Sequence, residues 1–225
     1  MNKEEEELTA IVERYSRRFK KPRSGLQGEF EKNIVHERER KYEEIIRNRI
    51  INPLQLSVIE IGAGSGFNIG FFKRIGVLPV NIYANELLAE RAAQLKINHP
   101  DINVLEGDAL DIPEENKFDV VFQSTVFTSV LDDGFREQLA DKITLLTNHK
   151  GIILWYDFRF NNPRNKDVRK VTLSEIRKLF PSATALNYWK VTLAPPIGRR
   201  VEKLYSWFNL FPFLRTHVIA EIKFS

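Results

Sequence analysis

The chain has 225 residues, a formal net charge of +4 and no cysteine; 43% of its residues are hydrophobic and 28% charged. This length suits one α/β domain with a buried core and is too short for two sizeable ones. The lack of cysteine excludes disulfides, thiolate zinc sites and cysteine nucleophiles, and the mild basicity alone does not mark a nucleic-acid binder.

Met1-Asn2-Lys3 and the acids Glu4 to Glu7 lack the apolar stretch of a secretory signal. No apolar run reaches the roughly 18 residues of a membrane span. The expectation is a cytoplasmic protein. Residues 4–20 read as a helix, with Leu8, Ile11, Val12, Tyr15 and Phe19 at helical spacing. Acids fill its first turn and Arg17, Arg18 and Lys20 its last, matching the helix dipole. Lys21-Pro22-Arg23-Ser24-Gly25 ends it. A second helix is predicted over about 27–50. Its ends are apolar (Phe30, Ile34; Ile45, Ile46, Ile50), and its charged middle, His36 to Lys41, reads as a solvated face. Together these make an N-terminal helical extension, residues 1–52, ahead of a domain spanning 53–225.

From residue 56 short apolar strands alternate with amphipathic helices. Strands are predicted at 56–61, 80–84, 102–105, 118–122 and 152–156, and helices near 66–75, 88–97 and 133–147. The third helix carries Phe135, Leu139, Ile143 and Leu146 on one face, with Asp132 or Asp133 as N-cap. This alternation implies parallel strands joined by right-handed crossovers. Thr172-Leu173-Ser174-Glu175 has the form of a capping box that opens a short helix. Strands are predicted at 183–191 and 217–224, which completes a doubly wound, mostly parallel, seven-stranded sheet. Between those last two strands, 197–214 places Ile197, Val201, Leu204, Tyr205, Phe208 and Phe211 near helical spacing. It reads as a helix over the sheet or pocket. A second reading has Trp207, Leu210 and Phe213, beside Arg199, Arg200 and Lys203, forming a peripheral membrane contact.

The sharpest motif is Val58-Ile59-Glu60-Ile61-Gly62-Ala63-Gly64-Ser65-Gly66. A strand runs into three glycines at alternate positions, so the backbone can turn tightly and approach a ligand. Such sheets bind ligands at the carboxyl ends of their strands. A dinucleotide fingerprint, G-x-G-x-x-G, would put its third glycine at Phe67. Here that glycine is Gly66, and an acid, Glu60, stands inside the strand end.

Both departures resemble the E-x-G-x-G-x-G signature of class I S-adenosylmethionine (SAM)-dependent methyltransferases, a Rossmann-like family. Further segments follow in the family's order. Asn85-Glu86 ends the second strand, where Glu86 can accept both ribose hydroxyls. Glu106-Gly107-Asp108-Ala109 resembles the family's G-D-A segment, which implies that Asp108 meets the adenine amino group and Ala109 lines the ring. Phe118 to Ser124 resembles the fourth strand, which implies that Gln123 and Ser124 sit beside the methyl group. Lys150-Gly151 to Asp157 resembles the fifth. The resemblance covers about residues 56–157. It implies SAM as cofactor, held by Glu60, Gly62, Gly64, Gly66, Glu86, Asp108, Ala109, Gln123 and Ser124. The charges agree with it, because three carboxylates suit a sulfonium with its ribose and adenine and would repel a pyrophosphate.

The acceptor is less legible. Trp155 to Asn165 leaves the fifth strand at the ligand end. It reads as a substrate loop, with Asp157 as base and Arg159, Asn162 and Arg164 holding an anionic group, or alternatively as a structural turn. Tyr15 and Arg18 are expected to face the pocket from the N-terminal lid, although Tyr15 also fits a core-packing stripe. His99 and His149 read as exposed. Four scattered histidines and no acid after the fourth strand predict no metal. The expected reaction is methylation of an oxygen, less favourably a nitrogen, on a small molecule, sugar or lipid-linked glycan. The alternatives are an RNA or protein methyltransferase and a SAM-binding protein without catalysis. Nucleic acid is not favoured as a partner, and oligomeric state is left open.

Overall fold

The computed structural model describes residues 3–19, 28–48, 52–162 and 165–224, with backbone alone for 3–5, 18, 19 and 203. Two helices come first, α1 (Lys3–Phe19) and α2 (Glu29–Arg47). The alternating part follows: β1 (Val58–Ile61), α3 (Ile69–Arg74), β2 (Ile82–Glu86), α4 (Ala89–Asn98), β3 (Asn103–Glu106), β4 (Phe118–Ser124), α5 (Asp133–Leu146) and β5 (Thr147–Phe158). It closes with α6 (Leu173–Leu179), β6 (Ala185–Leu193) and β7 (Arg215–Lys223).

The seven strands form one sheet in the order β3-β2-β1-β4-β5-β7-β6. β1 to β5 are mutually parallel, and β7 runs antiparallel to both β5 and β6. The expected doubly wound, mostly parallel sheet is therefore present. Chain order reverses between β1 and β4, and ligands of such sheets bind in the crevice at that point.

Each face has its own core. Ile11 of α1, the apolar stripe of α5 and Ile176 of α6 cover one face, against Ile59, Ile61, Val121 and Trp155. Tyr42, Ile45 and Ile46 of α2, with α3 and Leu95 of α4, cover the other, against Val58, Val120, Phe122 and Tyr156. Both N-terminal helices thus share the core of the sheet. Ile46 is 1% exposed beneath the sheet. Truncating it to alanine would cost ~2–5 kcal/mol and loosen α2.

Local signals place the helix starts. Asp132 accepts the N–H of Phe135 at 2.8 Å. Thr172 and Glu175 form the reciprocal capping box that the pattern predicts.

The segment 197–214 is not one helix. It folds as short turns, Pro195–Gly198, Glu202–Leu204, Tyr205–Phe208 and Pro212–Leu214. Gly198 ends the first of these turns and Pro212 opens the last, because glycine favours a helix end and proline its first position. Tyr205 is buried against Phe30 and Leu193. Leu204, Trp207, Leu210 and Phe213 are exposed. No helix among the described residues is long and apolar enough to cross a membrane.

Candidate cofactor and acceptor site

β1 delivers the chain into a loop in which Gly62, Gly64 and Gly66 all have positive φ (66°, 61° and 88°). The reasons differ by position. A Cβ on Gly62 would lie 2.7 Å from Val126 Cγ2, and one on Gly66 would lie 2.5 Å from His99. Packing therefore requires both glycines. A Cβ on Gly64 would meet nothing within 4 Å, so this glycine faces open space that a ligand can enter. His99 is not a free loop residue: its Nε2 lies 3.0 Å from the carbonyl oxygen of Gly66. α3 starts at Ile69, three residues later than the pattern predicts. Before it, Asn68 turns its amide inward and donates to Glu60 at 2.6 Å.

At the end of β2, Glu86 is 3% exposed. Its Oε2 accepts the N–H of Gly64 at 2.7 Å and its Oε1 that of Leu88 at 3.0 Å. Asn85 donates to the carbonyls of Leu105 and Gly107, tying the end of β2 to the turn that carries Asp108. Asp108 accepts the N–H of Leu110 at 3.0 Å. These residues border a cleft at the crevice between β1 and β4. Gly62, Glu86, Asp108, Ala109 and Val126 line it from the strand ends, and Leu8, Ile11 and Tyr15 of α1 line it from above. Tyr15 donates its hydroxyl to Ser129 at 2.8 Å. The Arg18 side chain lies outside the described residues.

Gln123 and Ser124 do not line this cleft, contrary to expectation. Gln123 is fully buried, and its Oε1 accepts the N–H of Val126 at 3.1 Å. It thereby shapes the turn at Thr125 (φ 60°) that presents Val126 to the cofactor side. Ser124 follows the alternation of the strand to the α2 face.

Asp157, expected to act as base, is also displaced from the cleft. It is 0% exposed and accepts the backbone N–H groups of Thr128 and Phe158. Burial pushes its carboxyl up to about 7, against the hydrogen bonds from Thr128 and Phe158 and the charge of Arg136. It braces the segment after β4 and cannot touch a substrate. Alternation along β5 explains this, because Trp155 and Asp157 share one inward face. Arg159 extends over the Phe160 ring at 4.8 Å, and Asn162 is exposed. Arg164 lies outside the described residues. No group of three or more His, Asp or Glu among the described residues is arranged to hold a metal.

A second polar group, which the sequence reading passed over, lies on the α2 face beside the glycine loop. Arg38 sits over the rings of Phe67 (5.3 Å) and Tyr156 (5.2 Å). Tyr156 stacks on His217 with ring centroids 5.1 Å apart and planes 8° apart. Its hydroxyl is 3.0 Å from Thr192 Oγ1. Burial, and after it the charge of Arg38, pushes the His217 imidazole down to about 4, so it is neutral at pH 7. Glu37 accepts from Tyr205 (2.6 Å), Asn209 (2.6 Å) and the N–H of Thr192 (3.0 Å). Thr192 has φ 64°, a strained value for a β-branched residue and of a kind that concentrates at functional sites.

The charged middle of α2 is therefore only partly solvated. A signal for this was present: Ile34, Arg38 and Tyr42 follow one another at i, i+4, which puts Arg38 on the inward stripe.

The residues present suit SAM. Glu60 is buried, 1% exposed, with Oε2 lacking any partner among the described residues. Gly64 opens onto free space, and two further acids border the cleft where ribose and adenine would lie. Such a sheet, with its glycine loop at the switch point, defines an α/β enzyme that binds an adenosine-type cofactor.

Residues 59–154 match the methyltransferase-domain family. Over that span the chain is similar to SAM-dependent methyltransferases, and its seven-stranded sheet has their fold. No curated protein sequence matches it. Among solved structures it is similar to a SAM-dependent methyltransferase from Archaeoglobus fulgidus, with a TM-score of 0.58 and 13% identity, covering 82% of this chain and 94% of that one. It is similar also to 1,6-didemethyltoxoflavin-N1-methyltransferase from Burkholderia thailandensis, solved with S-adenosylhomocysteine, with a TM-score of 0.60, 17% identity and coverage of 83% and 78%. A third is a glycopeptide N-methyltransferase complexed with sinefungin, with a TM-score of 0.57, 13% identity and coverage of 83% and 94%. At these identities the likeness is one of fold.

Proposed function

We propose that this methyltransferase acts on an oxygen, and less readily a nitrogen, of a small molecule, sugar or glycan carrying an anionic group. The observation that carries the reading is the pairing of a roofed cofactor cleft with a separate polar group at the ends of β5 and β7. α1 covers the cleft from above. An acceptor then approaches from the side of Tyr156, Thr192 and His217, which suits a compact molecule better than a folded RNA.

When bound, SAM supplies a methyl group on a sulfonium, and the protein's main task is to align the acceptor with it. An alcohol acceptor also needs a proton acceptor. Neutral His217 suits that role better than Asp157, which is buried beneath the segment after β4. Among the described residues its Nε2 has no hydrogen bond, while its Nδ1 lies 3.0 Å from Thr216 Oγ1. Arg159, and Arg164 by sequence position, supply positive charge for an anionic acceptor.

A second form of the acceptor, a lipid-linked glycan, is favoured by the exposed Trp207, Leu210 and Phe213, in the segment whose sequence also carries Arg199 and Arg200. The test is methyl transfer from labelled SAM into fractionated small-molecule, glycan, lipid, protein and RNA pools. Label in the glycan or small-molecule pool supports the proposal. Label confined to RNA or protein overturns it, and no transfer to any pool would make this a SAM-binding protein without catalysis.

A further inference from the structure

Thr192, the last residue but one of β6, holds a φ of 64°, a costly value for a β-branched residue. Its three polar groups are all engaged. Its N–H donates to Glu37 of α2 at 3.0 Å, its hydroxyl lies 3.0 Å from that of Tyr156, and its carbonyl accepts the Thr216 hydroxyl at 3.2 Å. Strain of this kind persists only where the surroundings over-determine it. Here α2, β5 and β7 each supply one contact.

Register explains the contact with β7. Val191 pairs with His217 and Leu193 with Arg215 in antiparallel strands, so Thr192 and Thr216 face one another between them. The Thr216 hydroxyl has a second neighbour: its Oγ1 lies 3.0 Å from Nδ1 of His217. A threonine hydroxyl carries one proton and can accept as well as donate. A carbonyl oxygen has no proton to give, so toward Thr192 the hydroxyl is the donor. Its only proton is then in use, and toward His217 the same oxygen accepts. Nδ1 must therefore carry a hydrogen. Burial, and after it the charge of Arg38, keeps the ring neutral at pH 7, and a neutral imidazole has a single N–H. The lone pair is consequently on Nε2, which makes no hydrogen bond among the described residues. Tyr156 fixes the plane of the ring by stacking on it, 5.1 Å between centroids.

We propose that Thr216, itself oriented by the Thr192 carbonyl, is a positioning residue that selects the Nδ1–H tautomer of His217 and so leaves Nε2 free to take the acceptor's proton. This rests on the reading of His217 as proton acceptor and names what orients it. The two threonines touch no substrate and act through the ring. As the acceptor oxygen takes the methyl group, its proton passes to Nε2 and the sulfonium becomes a neutral thioether. The imidazolium so formed keeps its Nδ1–H on Thr216 and returns the other proton to water. In the opposite tautomer Nε2 would carry a hydrogen and could accept nothing. Thr216 also ties the ring to the residue proposed to hold the anionic group, because its carbonyl accepts the N–H of Arg159 at 3.0 Å.

The test reads the tautomer directly. Long-range proton–nitrogen spectra of the isotope-labelled full chain at pH 7, with His217→Gln to assign the signals, should show Nδ1 protonated and Nε2 bare. Thr216→Val removes the hydroxyl and keeps the branched shape. It should move the proton to Nε2 in part or in full. It should also slow label transfer from SAM into the small-molecule and glycan pool by about tenfold or more, since a general base is worth ~10²–10⁴. Affinity for S-adenosylhomocysteine by calorimetry should stay within about twofold, which shows that the variant is folded and its cofactor cleft intact. Thr216→Ser should restore both tautomer and rate. A hydroxyl that only closed the hairpin would affect Tm without moving the ring proton. The relay is overturned if the unaltered chain carries its proton on Nε2, or if Thr216→Val leaves the tautomer in place. It is overturned also if the tautomer moves and the rate holds while His217→Gln slows transfer. If His217→Gln keeps the full rate, the reading of His217 as proton acceptor falls, and the relay with it.

Discussion

The Glu86 carboxylate accepts the backbone N–H of Gly64 across 2.7 Å, joining the end of β2 to the tip of the glycine loop. One side chain thus shapes the loop and borders the cleft. Glu86→Ala should weaken SAM binding by ~1.5–3 kcal/mol for each charged hydrogen bond lost. Titration calorimetry with SAM, S-adenosylhomocysteine and NAD would measure this. Binding of NAD in preference to SAM would contradict the cofactor assignment.

Stability should fall between pH 6.5 and 8. Burial raises Glu60 from its ordinary 4.5 to about 8 and Asp157 from 3.8 to about 7. The folded state therefore holds protons that the unfolded chain releases. The resulting stability is fully present below about pH 4 and is lost as pH rises through the folded values. His217, lowered from 6.5 to about 4, works in the opposite direction and only below 6.5. Thermal melts without ligand should show Tm decreasing from pH 6.5 to 8. Asp157→Asn should flatten this slope and raise Tm at pH 8. A steeper decline in the variant would count against the buried-carboxyl account.

α1 roofs the cleft through Leu8, Ile11 and Tyr15, and the Tyr15 hydroxyl is fastened to Ser129. Tyr15→Phe should cost ~0.5–1.5 kcal/mol of stability, the net worth of one hydrogen bond. Tyr15→Ala should also weaken S-adenosylhomocysteine, because it opens the roof over the adenosine. Deleting residues 1–24 should have the larger effect. Unchanged affinity and turnover in a folded truncated protein would reduce α1 to a packing element.

His217→Gln should lower kcat with little change in cofactor affinity, and part of the loss should return at high pH, where hydroxide can take the acceptor proton in place of the imidazole. Arg159→Ala should raise the acceptor KM while cofactor binding holds. If both variants keep kcat/KM within about twofold, the acceptor does not sit at the ends of β5 and β7.

Trp207→Ser with Phe213→Ser should abolish co-sedimentation with anionic vesicles if the acceptor is lipid-linked. These side chains are 57% and 75% exposed, so their replacement should barely alter Tm. Absence of vesicle binding by the unaltered chain would leave a soluble acceptor as the reading.

Most of the fold was legible from local pattern. β1 to β5 alternate with α3 to α5 because a period of two gives way to one near 3.6 at each turn. Asp132 and Thr172 mark helix starts through side-chain oxygens that reach only three residues ahead. Gly62, Glu86, Asp108 and Ala109 could be placed at one cleft from sequence because parallel strands end together there, and their place in the chain fixes their place in the sheet. The 197–214 segment reads as one helix from its periodicity, and the structure divides it into short turns, one of which seats Tyr205 against Phe30 and Leu193.

Tertiary structure alone decided which way the polar side chains face. Asp157 and His217 both lie at the ligand end of the sheet, yet strand alternation and the register Phe158↔His217 bury Asp157 under Thr128 and stack His217 on Tyr156. Arg38 and Glu37 belong to a charged run that reads as solvated, and helix phase against the sheet turns them inward. Local propensity sets where elements begin and end over a few residues. The direction and company of a side chain depend on contacts between residues far apart in sequence, such as Glu37 with Thr192 or Arg38 with Tyr156, and these exist only once the sheet and its two N-terminal helices have packed.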